Sequence, residues 1–399
     1  MRVALVNNFF YPRLSGSAHL TKVLATELAA QGHEVLILCA AQGAPAGNEF
    51  VDGYRIVRLP CRVLPDMKLA MHYDVNFVFS RKNVRRIFNI LDEFNPDIVH
   101  QHGQFFDLSW ITAVWMRRRN VPGVMTVHTP LVHTNHIYAA ILWFADQVLA
   151  HPFLRIGRQV PLAADKFMRD YIHRRYRFRL SKIAVIPLAI DVERFHPLEN
   201  PELRMKLGVG DRPLLLSIGH VIPLRNRIDL IEALPEMIVR IPDIMVLIIG
   251  NILDDRFLHR ARELNVEDHL LLTGAVPHHE LPEYFSIASA ECHELQLTHA
   301  SGLGTAALEV MAAGIPVISV VPADNFPGLR LQNWENIVMV PLGDSIALAD
   351  AVERLIEDPE LAARVGKGER HFIEENFSHT KITEEHLALY TRLISEHSV

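Results

Sequence analysis

The sequence predicts an α/β protein of two domains, each an open parallel sheet with helices on both faces. Three observations carry this. The chain has 399 residues, more than one ordinary domain holds. Short apolar runs alternate with longer amphipathic ones from the first residue, and the same rhythm resumes after residue 210. Between the two series lies a join at 189–212, punctuated by Pro197, Pro201 and Pro213. In the first series, Arg2 to Val6, Glu34 to Cys39, Tyr54 to Leu59, Asp97 to His100 and Gly123 to Val127 read as strands, with His19 to Gln31 a helix. In the second, Pro213 to Ser217, Ile244 to Ile249, Leu270 to Thr273 and Pro316 to Val320 are strand-like. Helical patterns at Arg227 to Val239, Leu281 to Ala288 and Thr305 to Ala313 separate them. After residue 343 the pattern is helical to the end. The expected domains are 1–190 and 191–375, with 376–399 a helix packing back across the join. Ligands of open sheets bind beyond the carboxyl ends of the strands, so two such sheets place the expected chemistry in a central cleft between them.

Composition narrows the class. Hydrophobic residues are 49% and charged residues 22%, which fits large folded cores and excludes a disordered chain. The apolar start, Met1 to Val6, breaks at Asn7-Asn8 and is too short for a signal sequence. Ile137 to Ala150 is the longest apolar stretch, but Asp146 and Gln147 interrupt it and it falls short of a membrane span. Cys39, Cys61 and Cys292 have no paired spacing, which points to a reducing compartment and a cytoplasmic protein. The net charge of −6 hides an asymmetry: residues 1–190 carry 23 basic and 13 acidic side chains, residues 191–399 carry 17 and 33. A basic half favours phosphates or anionic lipid headgroups, though two oppositely charged domains also attract each other.

The most informative stretch is Ser301-Gly302-Leu303-Gly304-Thr305-Ala306-Ala307-Leu308-Glu309-Val310-Met311-Ala312-Ala313-Gly314-Ile315-Pro316-Val317. Two glycines open a helix, where backbone N–H groups suit an anion such as a diphosphate; the same pattern also serves as a structural turn. This stretch resembles the E-G-F-G-x-x-x-L-E-A-M-A-x-G-x-P-V block of the family 4 retaining glycosyltransferases. Other pieces follow in the family's order: Tyr11-Pro12-Arg13-Leu14-Ser15-Gly16, Gly32-His33-Glu34-Val35, Asp97-Ile98-Val99-His100-Gln101-His102, Val185 to Phe195, and Pro277-His278-His279-Glu280-Leu281-Pro282. The resemblance covers nearly the whole chain. It implies the GT-B architecture, two Rossmann-like domains with parallel sheets facing a cleft, and transfer of a sugar from a nucleotide-sugar donor to an acceptor with retention of configuration.

Roles follow from that resemblance position by position. Glu309 is expected to grip the donor's ribose hydroxyls. Gly302, Leu303 and Gly304 are expected at the distal phosphate and sugar, and Gly16 at the same phosphates. His128, in Thr126-Val127-His128-Thr129-Pro130, aligns with a histidine beside the donor sugar, although a histidine at a strand end is often structural. The diphosphate needs positive charge as it departs. Where the family has G-R-x-x-x-x-K-G, this chain has Gly219-His220-Val221-Ile222-Pro223-Leu224-Arg225-Asn226-Arg227, so His220 stands for the arginine, Arg225 for the lysine, and Arg227 is close enough to assist. Ser301 replaces a glutamate that contacts donor hydroxyls, and Gly250-Asn251-Ile252 lacks one glycine of the family's G-x-G. The ribose clamp is kept while sugar and phosphate contacts have changed, which implies an altered donor sugar or weakened transfer.

The family needs no metal or other cofactor, and His100, His102, His133 and His136 show no ligand spacing. The acceptor, a glycan, a lipid-linked molecule or a small molecule, belongs to the basic first domain. There Arg169 to Lys182, Arg81 to Arg86 and Arg117 to Arg119 are basic clusters, with the run Ile137 to Ala150 between them in sequence. Together these suit attachment to the inner face of an anionic membrane; equally, the run reads as a buried core helix beside a solvated basic face. No nucleic-acid module accompanies them, and no nucleic-acid partner is expected. A non-catalytic nucleotide-sugar-binding homologue and a GT-B-fold epimerase stay open as alternatives.

Overall fold

The structure is a computed structural model that describes residues 1–13, 15–64, 75–133, 135–198, 200–223, 225–293, 295 and 302–397. The chain forms two compact units, Met1–Ala189 with His379–Val399, and Ile190–Ser378. The sequence expected the divisions at 190/191 and 375/376; they fall at 189/190 and 378/379.

In the first unit the strands are β1 (Arg2–Asn7), β2 (Glu34–Ala40), β3 (Gly47–Val51), β4 (Tyr54–Leu59), β5 (Arg62–Val63), β6 (Asn76–Phe77), β7 (Ile98–His102), β8 (Gly123–Thr126), β9 (Val160–Ala163) and β10 (Ala184–Val185). Eight of them make one sheet in the order β10-β9-β8-β7-β1-β2-β4-β3, parallel except where β3 pairs antiparallel with β4. β1 and β2 are buried nearly end to end (Val3, Leu5, Val35, Ile37), as strands covered on both faces must be. The order reverses direction at β1, which has β7 on one side and β2 on the other, so the carboxyl ends of β1 and β7 border a topological switch point. Asn7 pairs with His102 there.

The first helix runs Gly16–Ala30, three residues earlier than the expected start at His19, because Ser15 caps it by accepting the Ala18 N–H at 3.1 Å. The final helix, His379–His397, belongs to this unit. Its Ile382, Leu389, Tyr390 and Leu393 share a core with Val3, Leu5, Leu24 and Leu28.

In the second unit β11 (Leu214–Ile218), β12 (Met245–Ile249), β13 (Leu270–Gly274), β14 (Ala290–His293), β15 (Val317–Ser319) and β16 (Val338–Met339) form a parallel sheet in the order β13-β12-β11-β14-β15-β16. β11 is the pivot, with β12 on one side and β14 on the other. Helices Ile228–Arg240 and Ser345–Glu357 bury Leu230, Leu234, Leu348 and Val352 in one core with Leu215 and Val246. Glycine is obligatory at Gly250: its φ is +142°, and a Cβ there would lie 2.4 Å from the Gly219 carbonyl oxygen.

The apolar run of the first unit corrects an expectation. It is one continuous helical stretch from His136 to Ile156, longer than the sequence suggested and long and apolar enough to cross a membrane by length and composition. It is not a core helix: no residue of His136–Ala145 is buried, and Ile137, Trp143 and Phe144 are 70%, 53% and 64% exposed. A π-helical turn at Asp146–Ala150 breaks its regular winding. There Asp146 is wholly buried and takes Arg175 at 2.5 Å, Tyr176 at 2.7 Å and Tyr171 at 3.3 Å. That network, with Trp110 stacked on Phe153 at 5.5 Å, ties the stretch to its own unit at the middle and the far end.

Candidate functional site

The second unit gathers candidate donor-side residues beyond the carboxyl ends of β11, β12 and β14. β11 runs into Gly219-His220. The His220 Nδ1 accepts the Asn251 N–H at 3.0 Å, which puts the ring's N–H on Nε2. Arg227 reaches the same strand end, its Nη2 donating to the Ile218 and Gly219 carbonyls at 3.0 and 3.2 Å. Arg225 closes a turn by donating its N–H to the Ile222 carbonyl at 2.8 Å.

The helix Thr305–Ala312 starts at Gly304 with no side-chain cap and no acidic residue in its first turn, so its leading N–H groups and dipole are left for another partner. Leu303 is buried beside it, and Gly302 is buried too. One turn along, Glu309 is 4% exposed and its Oε1 lies 2.8 Å from the Nε2 of His278. Burial pushes the Glu309 carboxyl above its ordinary range and His278 pulls it part of the way back. The hydrogen bond to Glu309 in turn raises His278, against the opposing effect of its own burial. Arg194 stands 3.5 Å from the other ring nitrogen of His278, and the ring of Phe195 packs on it at 5.4 Å. The Asp191-Val192-Glu193-Arg194-Phe195 segment thus supports the neighbour of the candidate ribose clamp. Ser301 lies outside the described residues.

In the first unit, His128 stands just past β8 and meets a row of imidazoles. His102 stacks on it with ring centres 5.2 Å apart, and His102 Nδ1 lies 3.0 Å from His128 Nε2, so one donates and the other accepts. His100 stacks on His102 at 4.4 Å and on His386 at 5.5 Å. It is held by Tyr390 Oη on Nδ1 and Thr126 Oγ1 on Nε2, at 2.5 and 2.6 Å. Burial holds His100 and His102 well below the usual imidazole range and pushes His128 and His386 down to about 4. All four rings are therefore neutral near pH 7. His102, Thr126, His128, Thr383 and His386 line one pocket with Leu20 and Leu188. At Gly16, a Cβ would meet nothing within 4 Å.

Both units match known families. Residues 14–194 match the family described as "Glycosyltransferase Family 4", and residues 199–372 match "Glycosyl transferases group 1". The chain belongs to the family 4 glycosyltransferases.

This glycosyltransferase is 27% identical over 387 residues to the "GDP-mannose-dependent alpha-(1-6)-phosphatidylinositol monomannoside mannosyltransferase" of Mycolicibacterium smegmatis, covering 94% of each chain. It is 25% identical over 337 residues to the "Alpha-monoglucosyldiacylglycerol synthase" of Streptococcus pneumoniae, covering 80% of this chain and 71% of that one. Its fold is shared with a solved glycosyltransferase of Rickettsia africae, at a TM-score of 0.71, 17% identity and 98% of each chain. WaaG, "a glycosyltransferase involved in lipopolysaccharide biosynthesis", matches at a TM-score of 0.65 and 16% identity over 98% of this chain and 99% of that one. The architecture is GT-B, and the enzyme is a retaining hexosyltransferase that uses a nucleotide-sugar donor.

Of the glycosyltransferase's expected site residues, the structure brings His220 and Arg227 together at one strand end, and Gly302, Leu303, Gly304 and Glu309 along one helix start. His128 and Gly16 belong to the first unit. Sequence reasoning did not single out His278, His102 or His386 as partners. His100 and His102 had a signal: two apart on a strand, they share a face. His386 had none, since it lies far along the chain and only folding places it against His100.

Proposed function

We propose that this glycosyltransferase transfers a hexose from a nucleoside-diphosphate sugar to a lipid-linked acceptor while resting on an anionic membrane surface at the cytoplasmic face. The carrying observation is the stretch His136–Ile156, which exposes Ile137, Ile141, Trp143, Phe144 and Val148. Exposed arginines stand close to it in the chain and in the same unit, among them Arg174, Arg177 and Arg179. An apolar face rimmed by cations lies in the membrane interface, with aromatic rings at headgroup level. Because Asp146 is pinned inside the protein, the stretch lies on the bilayer rather than crossing it. The names of the two relatives, one acting on a phosphatidylinositol mannoside and one making a glucosyldiacylglycerol, support a lipid acceptor.

On the donor side, Glu309 clamps the ribose, the uncapped helix start at Gly302 to Thr305 and the cations Arg225 and Arg227 receive the diphosphate, and His220 adds a donor at Nε2. His128 is the first unit's candidate for contacting the transferring sugar, and Gly16 leaves room for the phosphates. The leaving diphosphate is stabilised by these fixed donors, without a metal or other cofactor.

Two measurements test this. Thermal shift with UDP-, GDP- and ADP-sugars should show one donor stabilising the wild type and not Glu309→Ala; a ligand at 100 times its Kd adds about 2.7 kcal/mol. Binding without turnover would identify a non-catalytic homologue. Co-sedimentation should capture the protein on phosphatidylglycerol vesicles but not on phosphatidylcholine vesicles, and Trp143→Ser with Phe144→Ser should release it. Equal behaviour on both vesicles would overturn the membrane reading.

A further inference from the structure

β14 ends the second unit's switch point with a pair that no motif marks. Glu291 and His293 are two apart on the strand and share a face. Glu291 is wholly buried and His293 is 5% exposed, with His293 Nδ1 3.0 Å from Glu291 Oε1. Among the described residues the outer atoms of the pair, Glu291 Oε2 and His293 Nε2, have no hydrogen-bond partner. A buried polar atom without a partner costs free energy unless something else visits it.

The direction of Nε2 indicates the visitor. A Cβ placed on Gly304 would lie 3.9 Å from it, so the ring nitrogen is aimed at the turn that opens the helix Thr305–Ala312. Gly304 has no side chain to stand between them. The first-turn N–H groups of that helix also lack a side-chain cap. An imidazole backed by a carboxylate and the positive end of a helix therefore converge on one spot, and both favour an anion.

We propose that His293, held by Glu291, donates a hydrogen bond from Nε2–H to a phosphate oxygen of the donor's diphosphate at the Gly302–Gly304 turn. The inference rests on the nucleotide-sugar reading above and names an additional contact for that substrate. Nδ1 stays on the Glu291 carboxylate at 3.0 Å, which fixes the ring and leaves Nε2–H for the phosphate oxygen. His293 supplies a hydrogen-bond donor to the diphosphate in a unit where His220 replaces an arginine. Among the described residues, the carboxylates that feel the Glu291 charge are Glu309, paired with His278, and Glu369 of the helix Pro359–Phe377. Both Glu369 oxygens face the Val317 N–H, and burial holds that carboxyl toward its neutral form.

The experiment compares nucleoside diphosphates with the matching monophosphates (GDP and GMP, UDP and UMP, ADP and AMP) by calorimetry on the full chain. His293→Gln and His293→Phe should shrink the diphosphate-to-monophosphate affinity ratio about tenfold, equivalent to about 1.4 kcal/mol, while monophosphate affinity holds. A purely structural histidine would weaken both ligands alike. An unchanged ratio in both folded His293 variants overturns the inference and leaves the donor reading intact. If the wild type binds no nucleoside diphosphate, the donor reading fails and this inference with it. Should the variants not fold, the nitrogen NMR signals of the His293 ring in the wild type decide: no change at Nε2 on diphosphate binding overturns the inference.

Discussion

Replacing His386 with glutamine should make the first unit less sensitive to acid. His386 is buried, donates Nδ1–H to the Ile382 carbonyl at 2.8 Å, and packs against His100. Burial lowers its pKa to about 4, against about 6.5 in the unfolded chain. The folded state thus binds fewer protons than the unfolded one. The stability gained by keeping the ring neutral is whole above pH 6.5 and is lost as pH falls toward 4. Between pH 7.5 and 5.0 the loss for one such ring is about 2 kcal/mol, a large part of the roughly 5–15 kcal/mol that stabilises a typical domain. His128, His100 and His102 act in the same direction. Urea unfolding followed by tryptophan fluorescence suits the test, because Trp110, Trp115 and Trp143 lie in the first unit and only Trp334 in the second. The drop in unfolding free energy from pH 7.5 to 5.0 should be about 2 kcal/mol smaller in His386→Gln than in the wild type. An equal drop in both proteins would refute the reasoning.

Two further outcomes follow from the second unit. Gly250→Ala forces a Cβ toward the Gly219 carbonyl at a φ of +142°, and should cost about 3 kcal/mol or more, read as a lower urea midpoint. His278→Gln should destabilise the protein more at pH 6 than at pH 8.5. Its raised pKa means that the pair with Glu309 contributes fully below about 6.5 and is lost as pH rises through the folded value. A difference independent of pH would show that the pair is not ionised in the folded protein.

Local pattern was enough for much of this protein. β4 was legible to the residue, since β-branched residues between turn formers have one favourable arrangement. The glycine-rich block placed the helix Thr305–Ala312, because two glycines before an apolar stripe are a local signal for a helix start. Short edge elements such as β3 and β10 were not legible, as their few residues carry no periodicity of their own. The stretch His136–Ile156 misled, because hydropathy reports how apolar a segment is and not what covers it.

By itself the sequence determined the two α/β units, the family, and the candidate residues that sit in contiguous motifs. These depend on periodicity and on spacing along the chain. Only the tertiary structure decided that His386 joins His100, that His278 takes Glu309, and that His293 aims at Gly304. It also decided that the apolar helix stays uncovered. The physical reason is that side-chain contact and burial are set by which strands are neighbours in a sheet and which helices pack on it. That order is not the order of the residues in the chain.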